Sequence, residues 1–168
     1  DKKMRLETAF QWTSGTETII YSYANAIKTV DGGSHETGFR NGTTKALRSY
    51  IERRKLLPKE ITNITGDDVR EGLIAIINVY LQGDVEFQGQ TKGRLNSDIT
   101  SQVESVVKHS LEHYLLENQT MGDTIANRVI LSAQARIASR QAKDAVQRKT
   151  NISHRLSLPG KLSDCATT

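Results

Sequence analysis

His109-Ser110-Leu111-Glu112-His113 sets two imidazoles one helical turn apart beside a carboxylate. That is the H-x-x-E-H spacing of an inverted zinc-protease site. Zinc there would need a third ligand, usually a downstream acid such as Asp123, Asp144 or Asp164. Without one in register, the pair reads as two surface histidines on a solvated helix face. His35-Glu36 begins an H-E pair, but Phe39 stands where the second histidine of H-E-x-x-H belongs, so no metal site is expected. Pro159-Gly160-Lys161 echoes the end of a phosphate-binding P-loop. It lacks the earlier glycine and the hydroxyl after the lysine. No Ser-His-Asp or Cys-His arrangement is legible. Cys165 is the only cysteine, which rules out an internal disulfide and fits a reducing cytoplasm.

Charge is the other feature that could do chemistry. From Thr120 to Lys161 the chain carries eight basic residues (Arg128, Arg136, Arg140, Lys143, Arg148, Lys149, Arg155, Lys161) against Asp123 and Asp144. That stretch holds +6 of a net +4, leaving −2 for the remainder. Arg136, Arg140 and Lys143 fall at i, i+4 and i+7, one stripe of a helix, and are candidate DNA-phosphate contacts. Charge alone leaves nucleic-acid contact and a solvated helix face both open.

The elements that must position these residues follow from periodicity. Met4, Leu6, Phe10 and Trp12 alternate with polar neighbours, the pattern of a half-buried strand. Thr13-Ser14-Gly15-Thr16 reads as a turn, with Glu17 to Ala24 as the hairpin partner, Ile19, Tyr21 and Tyr23 on one side. After Asp31-Gly32-Gly33-Ser34, apolar residues recur at helical spacing, predicting a helix from about His35 to Lys55. Thr65-Gly66-Asp67-Asp68 resembles a capping box opening a short helix to about Glu71. Leu73 to Leu81 is a near-continuous apolar run, expected to be a central strand covered on both faces. A polar loop from Gln82 to Asn96 follows, and Ser97 is expected to cap the next helix, with Asp98 in its first turn. That helix carries Ile99, Val103, Val106, Val107, Tyr114 and Leu115 as its apolar stripe. A last helix, about Asp123 to Thr150, has sparse apolar positions and is expected to project from the body. Asn151 to Thr168 looks like a linker. Together these make an α+β domain, without a run of about 18 apolar residues that could cross a membrane and without a signal peptide. A strand near one end and a linker at the other suggest excision from a larger chain.

Five segments resemble one family. Phe87-Gln88-Gly89-Gln90-Thr91-Lys92 resembles the QTK loop of type IIA topoisomerases. Asp31-Gly32-Gly33-Ser34-His35-Glu36-Thr37-Gly38-Phe39 resembles their GGTH segment, with serine in place of threonine. Gly66-Asp67-Asp68-Val69-Arg70-Glu71-Gly72-Leu73 is similar to their DVREGL segment. Ala133 to Lys149 is similar to their Ala/Arg-rich helix, and Leu158 to Cys165 to their LPGKLADC junction. The motifs stand in the family's order along nearly the whole chain.

The resemblance is to the transducer domain of the ATPase subunit, of the gyrase B kind; the equivalent topoisomerase IV subunit shares these motifs. It implies a fold like the second domain of ribosomal protein S5, a mixed sheet with a left-handed βαβ crossover and a long C-terminal helix. Residues 1–122 would form the body, 123–150 a basic projecting helix, and 151–168 a linker to a TOPRIM domain. A GHKL-type domain before Asp1 would bind ATP and Mg2+, the fragment itself binding no metal and being inactive alone. Implied partners are double-stranded DNA, a gyrase A-type subunit in a heterotetramer and a second copy of the parent subunit, in the cytoplasm without a membrane. Lys92 would meet the ATP γ-phosphate, with Gln90 beside it. A lysine on a glycine-flanked loop is a compact charge suited to a terminal phosphate, and Gln90 shares its face if the loop is extended. A nucleic-acid-binding S5-like module with no nucleotide role is the alternative.

Overall fold

The computed structural model describes residues 4–59 and 61–153, and of residues 148–153 the backbone alone. The Leu158-to-Cys165 junction, most of the expected linker, and the side chains of Arg148, Lys149, Arg155 and Lys161 lie outside the described residues.

Strand β1 (Met4–Trp12) forms where the sequence alternates, and its Met4, Leu6, Phe10 and Trp12 pack onto the core. Trp12 satisfies its one polar atom, donating from Nε1 to the Val69 carbonyl at 2.8 Å. Strand β2 (Ile19–Ala24) does not pair with β1. Strand β4 (Leu73–Leu81) lies between them, antiparallel to β1 and parallel to β2. The hairpin expected across Thr13–Thr16 is therefore absent. That turn instead packs on the start of β4, with the Thr13 amide donating to the Gly72 carbonyl at 2.8 Å. The β-branched run of β4 takes the centre of the sheet and displaces the local pairing. The real hairpin joins β2 to β3 (Ile27–Lys28), where Asn25 and Ala26 both hold positive φ, 50° and 63°. Two such residues give the twist that a two-residue hairpin requires. The sheet order is β1-β4-β2-β3, a mixed sheet.

One face of this sheet makes the core. Leu73, Ala75, Ile77, Val79 and Leu81 of β4 are buried, and Ser22 and Ala24 of β2 lie on the same side. The opposite face is not covered among the described residues: Ile76 is 50% exposed and Tyr21 44%. One expectation fails here, β4 buried on both faces; Ile19, Tyr21 and Tyr23 do share one side of β2, the side opposite the core. An Ile/Val run reports strand propensity, not the number of layers over it.

The covering layer is α1 (Ser34–Arg53) packed against α3 (Thr100–Glu117). Gly38 and Gly42, one turn apart on α1, allow the approach. A Cβ on Gly38 would stand 2.6 Å from the Thr100 carbonyl oxygen, and one on Gly42 2.8 Å from that of Glu104. Helix α3 buries Val103, Val107, Leu111 and Leu115, whereas Val106 and Tyr114 stay exposed. Helix α2 (Gly66–Arg70) opens with the expected capping box, Thr65 Oγ1 accepting from the Asp68 amide and Asp68 Oδ2 from the Thr65 amide.

Helix α4 runs Gln119–Ser153, longer at both ends than its sequence pattern suggests. Its first turn is fastened to α1: the Tyr50 hydroxyl donates to Asp123 Oδ1 at 2.8 Å and Arg54 Nη2 to Oδ2 at 2.8 Å. Those two donors, Arg54 foremost, hold the Asp123 carboxyl below its ordinary range. Two compact units divide the chain after Ala133. In the first, α4 buries Ala126, Val129, Ile130 and Ala133. In the second, side chains from Gln134 to Gln147 are exposed or half-exposed.

Candidate functional site

The segment expected as a loop from Gln82 to Asn96 contains a small antiparallel hairpin, β5 (Phe87–Gln88) and β6 (Arg94–Leu95). Its tip is Gly89 to Gly93. Gly89 (φ 70°) and Lys92 (φ 53°) both take left-handed backbone, and the Lys92 amide donates to the Gly89 carbonyl at 3.3 Å. The tip is thus a tight turn, so Gln90 and Lys92 do not share a face in the way an extended loop would give. Both side chains are exposed. The Lys92 ammonium sits 5.7 Å from the Phe87 ring centroid, on the aromatic of its own hairpin rather than on a carboxylate among the described residues. Such a cation–π contact holds a lysine loosely and leaves its charge available.

The hairpin is held by Asp31–Ser34, the segment that leads into α1. The Asp31 amide donates to the Gly93 carbonyl at 2.8 Å, and the Leu95 amide to the Gly32 carbonyl at 3.1 Å. Gly33 bridges Leu95 at φ 147°, where a Cβ would stand 2.6 Å from the Leu95 carbonyl oxygen. Only glycine fits there. Ser34 Oγ donates to the Ser97 carbonyl at 2.5 Å, a bond that needs the hydroxyl and not threonine's methyl. Ser97 is not a helix cap. Its Oγ accepts from the Glu86 amide at 2.9 Å, closing the base of the hairpin, while Asp98 sits ahead of α3 and accepts from the Thr100 amide at 3.4 Å. Ile99 occupies the cap position with no side-chain bond. The two segments with the most family character are therefore one structural unit: the glycine turn at 31–34 is the clamp, and the lysine turn at 89–93 is what it presents.

Beneath the clamp lies a polar network that the sequence pattern does not announce. His35 is fully buried, its Nε2 3.2 Å from Thr29 Oγ1. Thr29 Oγ1 donates to Ser22 Oγ at 2.9 Å, and Ser22 Oγ donates to Glu36 Oε2 at 3.0 Å. Arg40 closes the chain on Glu36 Oε1 through Nε at 3.0 Å and Nη2 at 2.5 Å. Burial pushes the His35 pKa down to about 4, opposed in part by Glu36. The one available signal is Ser22, a hydroxyl at a core-facing strand position between Ile20 and Ala24.

His109 and His113 are exposed, and His113 faces Glu117 at 3.3 Å. No group of three or more His, Cys, Asp or Glu is placed to hold a metal among the described residues, and no helix among them is long and apolar enough to cross a membrane. Arg128 is engaged within the first unit, donating to the Gly15 carbonyl at 2.6 Å. On the second unit, Arg140 and Lys143 are exposed and Arg136 half-exposed.

A family model described as DNA gyrase B matches residues 1–145. The chain belongs to the DNA gyrase B family. Among relatives of this gyrase B chain, the DNA gyrase B protein of Mycobacterium tuberculosis is 43% identical over 166 residues, 97% of this chain and 24% of the relative. The chain thus spans about a quarter of the length of the curated relatives it matches. The 43K ATPase domain of Thermus thermophilus gyrase B, solved with an aminocoumarin, has a TM-score of 0.77 at 34% identity. The match covers 84% of this chain and 38% of that one. The topoisomerase IV ATP-binding domain of Francisella tularensis follows with a TM-score of 0.70 at 34% identity, covering 80% and 37%. Fold alone does not separate gyrase B from topoisomerase IV; the sequence relatives favour gyrase B.

Proposed function

We propose that this gyrase B chain is a transducer domain, coupling ATP binding and hydrolysis in a preceding GHKL-type domain to DNA strand passage and supercoiling. The observation that carries the reading is the Lys92 turn, a cation without a carboxylate partner among the described residues, exposed at the tip of a hairpin that is pinned at its base. A pinned stem with an exposed charged tip suits a group that must reach a ligand held by a neighbour. The Thermus thermophilus ATPase domain and the Francisella tularensis ATP-binding domain share the fold and extend well beyond the part this chain covers. In this reading residues 1–122 are the body, 123–150 its long helix and 151–168 the linker toward a TOPRIM domain.

Lys92 then contacts the γ-phosphate of ATP, and Gln90 adds a neutral donor from the same turn. The contact exists with the triphosphate and is lost after hydrolysis and phosphate release, a ligand bridging two bodies in one state only. The adenine pocket, the Mg2+ ligand and the general base belong to the preceding domain. The working enzyme is a cytoplasmic dimer of the full-length protein assembled with gyrase A-type partners, acting on double-stranded DNA through Arg136, Arg140 and Lys143.

Lys92→Ala in the full-length protein tests this. It is expected to lower kcat for ATP by roughly 10²-fold, as loss of a preorganised charge at a transferring phosphoryl does, with a smaller change in nucleotide affinity. An unchanged kcat would mean that the turn does not reach the phosphate.

A further inference from the structure

We propose that His35 is a positioning residue for the Lys92 turn, acting through the Thr29 hydroxyl on the segment that clamps the hairpin. The proposal rests on the reading that Lys92 meets a terminal phosphate.

Proton counting fixes the network. Thr29 has one hydroxyl proton and gives it to Ser22 Oγ; Ser22 has one, directed at Glu36 Oε2 and the Thr29 carbonyl, 3.0 Å from each. Thr29 Oγ1 can therefore only accept from His35, so Nε2 carries the imidazole proton. Nδ1 is then a bare lone pair, buried and without a hydrogen-bond partner among the described residues. The neutral Nε2–H tautomer satisfies the three side chains, and a proton on Nδ1 would have no acceptor.

The path from this histidine to the lysine is short and made of hydrogen bonds. Thr29 is 2% exposed, and its carbonyl accepts from the Gly32 amide at 3.1 Å. The Gly32 carbonyl in turn accepts from the Leu95 amide, and the Asp31 amide donates to the Gly93 carbonyl. Gly93 and Leu95 flank the turn on its return side, and Gly93 directly follows Lys92. His35 touches no part of the tip; it sets the rotamer of Thr29 and with it the backbone that the tip hangs from. A buried, fully directed polar chain specifies one geometry where an apolar contact would allow several. The tip is exposed from Gln90 to Lys92, and the backbone bonds that hold the hairpin lie in its stem, so its accuracy must come from below.

The experiment is a cycle in the full-length protein: His35→Phe, Lys92→Ala and the double variant, with His35→Gln as the conservative control, reading kcat and KM for ATP hydrolysis. His35→Phe keeps a planar ring and loses the donor. It should lower kcat on the order of tenfold, the cost of a sub-ångström misplacement, with KM little changed. His35→Gln places an N–H near the Nε2 position and should keep most of the activity. In the Lys92→Ala background His35→Phe should add no further loss, because its effect passes through that lysine. Equal fold-losses in both backgrounds, or His35→Gln as damaging as His35→Phe, would overturn the positioning role while leaving the Lys92 reading intact. A silent Lys92→Ala would overturn both. If His35→Phe fails to fold, Thr29→Val with Thr29→Ser as its control runs the same cycle with the same expected outcomes.

Discussion

Gly33 lies so close to Leu95 that a Cβ on the glycine would come within 2.8 Å of the Leu95 Cβ and 2.6 Å of its carbonyl oxygen. The φ of 147° at Gly33 adds a second reason that no other residue belongs there. Gly33→Ala therefore incurs both backbone strain and overlap, together about 2–5 kcal/mol. Ser34→Thr should be nearly neutral, and Ser34→Ala should cost about 1 kcal/mol for the lost bond to the Ser97 carbonyl. Urea unfolding midpoints at constant slope measure all three. A Gly33→Ala variant as stable as the parent would mean that the hairpin is not clamped at this point.

Gln90→Ala should lower kcat less than Lys92→Ala, since a neutral donor is weaker than a charged one. Lys92→Arg should not fully restore activity, because a planar fork replaces a point charge on a turn held tightly at φ 53°. The chain by itself should not turn over ATP, as it supplies at most these two side chains to the site. Turnover by the purified chain, free of contaminating ATPase, would sink the transducer reading.

His35 predicts an acid-sensitive fold. Its folded pKa of about 4 lies below the 6.5 of an unhindered imidazole, so the unfolded chain takes up its proton first. Above pH 6.5 both states are neutral and the full stability is present. Between 6.5 and about 4 stability falls with pH, levelling off once the folded state also protonates. The gap corresponds to roughly 3 kcal/mol. Asp123, held low by Arg54 and Tyr50, adds a loss at still lower pH. His35→Gln should flatten the profile between pH 6.5 and 4 specifically; a parallel profile in that variant would place the titrating group elsewhere.

Local pattern makes some elements readable and leaves others hidden. Strand β1 shows in the alternation of Met4 to Trp12, and the Thr65–Asp68 box marks the start of α2, because both signals are carried by adjacent residues. A β1–β2 hairpin is the wrong inference from the same kind of signal, because strand order is decided by β4, some 50 residues later in the chain. The Gly38/Gly42 pair reads as weakness in a helix until α3 is placed opposite. Lys92 is legible through its motif. Its clamp is not, since Gly33 and Leu95 meet only in the folded chain, and the Thr29–His35 bond is buried where no periodicity reports it.

The basic residues of the second unit carry the last prediction. Arg136, Arg140 and Lys143 recur on one stripe of α4, and Arg140 and Lys143 are exposed. Contacts from such a stripe go to phosphates and carry no base information, which would suit the strand passage proposed above. In a dimeric enzyme two copies would face the transported segment. Replacing all three with glutamine in the full-length protein should weaken strand passage and DNA-stimulated ATPase while leaving basal ATPase nearly intact, since none belongs to the nucleotide site. DNA binding should also lose salt dependence, by about 0.9 in the log–log slope for each phosphate contact removed. Arg140→Gln and Lys143→Gln as singles should each account for about one contact. A triple variant with unaltered slope and unaltered strand passage would show that the stripe is an ordinary solvated helix face.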